Sequence, residues 1–340
     1  MTDKQWNNLL DIVNGDVKKE IPIAFIIDCP WLPNWYGISI LDYFSNDDIW
    51  YKANMKAIET FPDVMFLPGF WSEYGMCTEP SAFGAKCIFW KNEFPFAEKT
   101  INAIEDIDNV TKPNCDTDGL LPFMLNRLVM TRPKIEEAGH KIKFSVSRGP
   151  MNIASFLMGT TEFLTAIMMD PERVHKLMRV ITDFLKDWHK MQADTIPTIE
   201  GILMLDDIVG FVGEEEFKEF GLPYFKELYD VEMAIKFFHN DADCTMSVKY
   251  YPEMGVNLYN PGIHMTINEL KETTDNKITM LGSIPPRDIL ASGTPEIVAK
   301  EVKDLIGGLK DKSRFVLSCA GGMPPNVSTE NINALIEAAK

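Results

Sequence analysis

His239 and Asp241, with Asn240 between them, and Cys319 further along the chain offer imidazole, carboxylate and thiolate, side chains that ligate a transition metal. Three such donors would leave a fourth coordination position for chemistry. Asp206 and Asp207 form a second acidic pair able to bind metal, orient a ligand histidine or cap the segment that follows. Glu73 joins them as a candidate catalytic acid, and Asp28, Glu79 and Asn260 as groups that could orient a substrate. His264 follows Asn260-Pro261-Gly262 and so could reach a site from a loop, whereas Cys244 is a weaker ligand candidate. His175 and His189 are offset from the apolar stripe of a helical segment and are expected to face solvent. No Ser-His-Asp arrangement, Walker loop or dinucleotide glycine fingerprint occurs.

Residues so far apart in sequence need a scaffold that gathers them. Eight apolar runs read as buried strands: Ile21–Asp28, Val64–Phe70, Ile142–Ser147, Gly201–Asp206, Ala234–His239, Val256–Tyr259, Ile278–Gly282 and Arg314–Cys319. Helical spacing separates them. The clearest case follows Asp170-Pro171-Glu172, an N-cap, a proline at the first helical position and an acid in the first turn. Its Val174, Leu177, Met178, Ile181, Phe184, Leu185 and Trp188 recur at intervals of three and four, placing one stripe against a core. Eight strand–helix units favour a (β/α)8 TIM barrel over an open doubly wound sheet, and barrel sites lie where strands end. The stretch from Trp71 to about Ala138 lacks clear strand signals and reads as elaborated loops and helices after the second strand. With no linker composition, the expectation is one barrel unit over residues 1–340.

The formal charge of −17 disfavours nucleic acid and anionic membranes as partners, since both reward basic patches. No segment resembles a signal peptide or a membrane span, so a cytoplasmic location is expected. The six cysteines lack CxxC spacing and do not form a disulfide framework of the kind small secreted domains need. Oligomeric state stays open, a homodimer included.

From Ser147 onward the order of motifs resembles the uroporphyrinogen decarboxylase superfamily, which includes cobalamin-dependent methyltransferases. The resemblance is carried by Gly149-Pro150, Ala154-Ser155-Phe156-Leu157-Met158-Gly159, Asp170-Pro171-Glu172-Arg173-Val174-His175-Lys176-Leu177 and Asp206-Asp207. Phe217 through Pro223-Tyr224, His239-Asn240-Asp241, Gly282-Ser283-Ile284-Pro285-Pro286, Gly321-Gly322-Met323-Pro324-Pro325 and Glu330-Asn331 complete it. The N-terminal half departs from the decarboxylase branch. Its basic Arg-Gln-Ala-Gly-Arg stretch is missing, and the first two strands end in Asp28-Cys29-Pro30-Trp31 and Pro68-Gly69-Phe70-Trp71-Ser72-Glu73, without the paired cations a polycarboxylate needs. Trp31, Trp35, Tyr36, Phe70, Trp71, Tyr74, Phe83, Phe89 and Trp90 give an aromatic-rich entrance instead, with Trp31, Trp71 and Tyr74 as candidate substrate contacts.

In the methyltransferase relatives, zinc is held by a His-x-Cys motif and a later cysteine. His239, Asp241 and Cys319 correspond to that set, with Asp241 replacing a thiolate and Cys319 two residues ahead of the family's cysteine on alignment at Gly321-Gly322. The resemblance therefore implies a zinc-dependent methyltransferase that moves a methyl group from a small methoxylated, aromatic substrate to the cobalamin of a separate corrinoid protein. Its alternatives are methyl transfer from a corrinoid to a thiol or folate, decarboxylation of a porphyrinogen-like acid, and a non-catalytic barrel that binds a corrinoid protein.

Overall fold

The computed structural model describes residues 1–27 and 30–340. Eight parallel strands build the centre: β1 Ile23–Ile26, β2 Val64–Leu67, β3 Phe144–Arg148, β4 Gly201–Leu205, β5 Ile235–Asn240, β6 Leu258–Pro261, β7 Thr279–Ile284 and β8 Phe315–Cys319. Each falls within or beside one of the eight expected runs. The hydrogen-bonded order is β2-β1-β8-β7-β6-β5-β4-β3, so the first strand lies beside the last and the sheet curls into the expected (β/α)8 barrel. Register is defined by pairs such as Arg148 with Leu205, Leu205 with His239, and His239 with Asn260. The ends of β3, β4, β5 and β6 thus reach the same level.

Alternation along each strand divides the core in two. Ala24, Ile26, Met65, Leu67, Phe144, Val146, Leu203, Leu205, Phe237, Leu258, Leu281 and Val316 form the inner cluster. Their neighbours, among them Phe25, Phe66, Met204, Phe238, Tyr259, Leu317 and Cys319, pack outward against the helices. Helix α1, Asp3–Val13, is closed at its start by a Thr2/Gln5 capping box and buries Trp6, Leu9, Ile12 and Val13. These four join the inner cluster, and Trp6 meets Phe144 edge-on at 5.5 Å. One end of the barrel is therefore filled by α1. Chemistry must use the other, where the strands' C-terminal ends open.

Between β2 and β3 the chain makes the expected excursion, with a short helix at Thr78–Ala82, a two-stranded hairpin of Cys87–Ile88 and Phe96–Ala97, and a long helix at Leu121–Glu137. Helix α2, Pro150–Met158, follows β3 directly, and α3, Pro171–Thr195, buries all seven residues of the expected stripe. His189 corrects the expectation of exposure. It is buried on α3, with its ring nitrogens 2.8 Å from the Ser147 hydroxyl and 2.9 Å from the Ser145 hydroxyl. Burial holds its pKa down at about 3, so the ring is neutral. His175 is only partly covered, stacked on Phe220. Among the described residues no helix is long and apolar enough to cross a membrane.

Candidate metal centre at the barrel mouth

The inward parity of Phe237 on β5 passes to His239 two residues on, and that of Leu258 on β6 passes to Asn260. The two side chains meet: His239 Nδ1 lies 2.8 Å from Asn260 Oδ1. Asn260 is itself pinned, because its amide nitrogen donates to the Leu281 carbonyl at 2.7 Å and the Cys319 carbonyl at 3.3 Å. With the NH2 end committed to carbonyls, the oxygen must face His239, so Nδ1 carries the proton and Nε2 keeps a lone pair. That nitrogen is 3.9 Å from Asp207 Oδ1.

Asp207 follows β4 and its Oδ1 also accepts the backbone N–H of Asp241 at 3.0 Å, tying the ends of β4 and β5 together. Asp207, His239 and Asp241 each present a ligand atom, and these atoms all lie within 4.8 Å of one another. Burial raises the Asp207 carboxyl above its usual range, opposed by His239 and reinforced by the Asp241 carboxylate. Asp241 is exposed at the lip, where a side chain on Gly321 would come within 2.6 Å of its carboxylate. Gly321 also has φ +67°, so close approach and backbone both require glycine there. An imidazole with its outer nitrogen bare and two carboxylates suit a divalent ion such as zinc.

Cys319 does not join this group. Val316 points into the barrel, so Ser318 shares that side and Cys319 takes the opposite one, packed in the outer cluster with its thiol 3.4 Å from the Gly321 carbonyl. Cys244 is likewise buried away, against Met265. Asp206, considered as a catalytic acid, faces outward one residue before Asp207. It accepts the backbone N–H groups of Met151 at 2.9 Å, Asn152 at 3.0 Å and Ile208 at 3.2 Å, and so caps the start of α2. Gly149 makes room for it, since a Cβ there would lie 2.4 Å from the Asp206 carboxylate.

Among the expected substrate contacts, Asp28 lies outside the described residues. Trp31 is fully buried outside the barrel wall, stacked on Trp35 and Phe66, with its indole N–H donating to the Val327 carbonyl. Tyr74 packs with Phe44 and Phe89 and lies against Arg127, which pairs with Asp47. His264 is exposed near Asp243. Trp71 does belong to the inner cluster, and the Arg148 guanidinium sits 5.6 Å from its ring centre.

Arg148 ends β3 on the inward side and was missed in the sequence, although the alternation from Phe144 and Val146 points to it. Glu73 accepts from its guanidinium at 2.9 Å, while Glu79 accepts its backbone N–H at 3.1 Å. Both acids are buried, and burial pushes both pKa values up, that of Glu79 to about 7. The mouth thus holds a carboxylate–imidazole cluster on one side and an Arg–Glu cluster on the other.

A (β/α)8 barrel with such a cluster at its C-terminal mouth defines the class, and the chain belongs to the uroporphyrinogen decarboxylase family, whose model, described as Uroporphyrinogen decarboxylase (URO-D), matches residues 34–340. It is 22% identical over 272 residues to a uroporphyrinogen decarboxylase of Vesicomyosocius okutanii, covering 76% of this chain and 75% of that protein. It is also 22% identical over 269 residues to a methylated-thiol–coenzyme M methyltransferase of Methanosarcina mazei, covering 79% and 71%. In structure it resembles a methyltransferase from Methanosarcina mazei, with a TM-score of 0.81 at 15% identity over 97% of this chain and 96% of that one.

Proposed function

We propose that this protein is a zinc-dependent methyltransferase that takes a methyl group from a small methylated substrate, a methoxylated aromatic compound by preference, and passes it to a corrinoid carried by a separate protein. The observation that carries this reading is the His239 imidazole, oriented by Asn260 so that its bare nitrogen faces the carboxylates of Asp207 and Asp241. Methyl transfer is also the activity named for one similar sequence and one similar fold.

Asp207, His239 and Asp241 would hold the metal. When bound, zinc supplies a Lewis acid that polarises the heteroatom from which the methyl group departs. Asn260 fixes the imidazole tautomer and ring plane. Asp207 holds the backbone of Asp241 and so positions the third donor. Trp71 gives the mouth an aromatic wall, whereas Trp31 and Tyr74 act through packing. A polycarboxylate substrate fits less well: Arg148 is already neutralised by Glu73, and Asp207 and Asp241 add negative charge.

Protein purified without chelator should carry about one zinc per chain and methylate cob(I)alamin from a methoxylated arene, read as methylcobalamin absorbance. His239→Ala should lose both, and Cys319→Ser should keep the metal. Full zinc content in His239→Ala would overturn the ligand assignment; a zinc-loaded wild type that transfers no methyl group from any methylated substrate would overturn the activity.

A further inference from the structure

Glu79 is 3% exposed, yet only one of its carboxylate oxygens has a partner. Oε1 accepts the Arg148 backbone N–H, and Oε2 is buried with no hydrogen bond. A buried oxygen left bare disfavours the ionised form of the carboxyl. Glu79 lines a cavity of about 10 Å3, enough for one water, whose walls also include Trp71, Ser72, Glu73, Thr78 and Arg148. Two of those walls, Trp71 and Arg148, also belong to the barrel mouth.

We propose that Glu79 is the proton donor of this mouth: its Oε2 carries a proton that passes, through one water in the adjoining cavity, to the anion left on the substrate when the methyl group departs. This rests on the methyl-transfer reading. Breaking the bond between the heteroatom and the methyl carbon leaves both electrons on the heteroatom while the acceptor takes the methyl group. The water then gives one proton to that heteroatom as it receives the proton of Glu79, whose O–H electrons stay on the carboxylate. The products are the neutral demethylated substrate and a Glu79 carboxylate beside the Arg148 N–H. Solvent restores the proton before the next turnover.

The charged and titratable groups around Glu79 suit the role. Arg148 faces it from β3 and favours its ionisation, Glu73 from its own connecting segment pairs with that guanidinium and opposes it, and burial outweighs the arginine. Cys77, two residues before it, is a buried thiol; Tyr74 faces Arg127; and His189 is neutral behind Ser147. Asp207 stands beyond Arg148, at the end of β4. The raised pKa of Glu79, about 7, then matches proton transfer near neutrality.

Glu79→Gln keeps the shape and the acceptor for Arg148 but cannot release a proton. Infrared difference spectra should show a protonated-carboxyl band in wild type that fades as pH rises through about 7 and is missing in the variant. The variant, folded by circular dichroism, should lose about 100-fold in kcat with a methoxyarene and cob(I)alamin and lose the alkaline limb of its pH profile. A wild type that transfers methyl groups, paired with a variant that keeps rate and profile or with no such band, sinks the proposal alone. A wild type with the band but no methyl transfer sinks the functional reading, and with it the acceptor named for the proton.

Discussion

Asn260 has no atom among the candidate metal donors, yet it decides which nitrogen of His239 is available to a metal. Asn260→Leu removes the acceptor for Nδ1–H and frees the ring to rotate or change tautomer. Zinc affinity should fall by about 10- to 100-fold with little change in fold, as outer partners of ligating histidines generally show. Competition with a chromogenic chelator measures this, and unchanged affinity would mean that Asn260 serves only the barrel wall. His239 and Asp241 were legible in the sequence as candidate donors because their residue types and spacing carry that chemistry, and the structure brings them together. Asp207 was visible as half of an acidic pair able to bind metal, but its advantage over Asp206 and Cys319 depends on strand parity: Val316 inside puts Cys319 outside, while Leu205 inside puts Asp207 inside and Asp206 against the start of α2.

At the scale of elements, the eight strands and α3 could be read because each owes its burial to its own local pattern. Side chains that depend on distant partners could not. His189 looked like an exposed residue beside the α3 stripe, but hydroxyls from Ser145 and Ser147 on β3 satisfy both ring nitrogens and allow it to be buried. Trp31 looked like an entrance residue because it follows β1, whereas at the start of its helix it stacks on Phe66 on the outer wall. The His189 contact also makes α3 docking sensitive to acid. Its ring has an ordinary pKa of 6.5 and is held at about 3 when folded, so the unfolded chain binds more protons between those values. The stabilisation is fully present above pH 6.5 and is lost as pH falls toward 3, by up to about 1.4 kcal/mol per pH unit. Urea midpoints should therefore drop between pH 6.5 and 4 in wild type and change less steeply in His189→Gln. Equal slopes would show that other groups control acid unfolding.

For the molecule as a whole, the curled sheet with β1 beside β8 and α1 filling one end leaves the other end as the face where candidate donors from the ends of β4 and β5 converge beside Asn260 of β6. The alternation of eight strands with helices made that architecture readable, because a parallel sheet needs a crossover at every step. What the sequence could not display is the surface that the crossovers raise around the mouth. Phe211, Met246 and Ile263 lie on the segments following β4, β5 and β6 and are 61%, 54% and 61% exposed. Large apolar side chains on the loops that frame the candidate metal cluster suit a transient protein contact, and the methyl transfer proposed above to a protein-borne corrinoid requires one, since the acceptor must come within bonding distance of the substrate methyl. Phe211→Glu should therefore raise the KM for the cognate corrinoid protein by about 10-fold, the cost of placing a charge in an apolar contact, while turnover with free cob(I)alamin stays at the wild-type level. Measuring both acceptors on the same variant separates docking from chemistry: a loss shared by free and protein-bound cobalamin would place Phe211 in the substrate site, and no loss with either would move the partner's docking surface elsewhere.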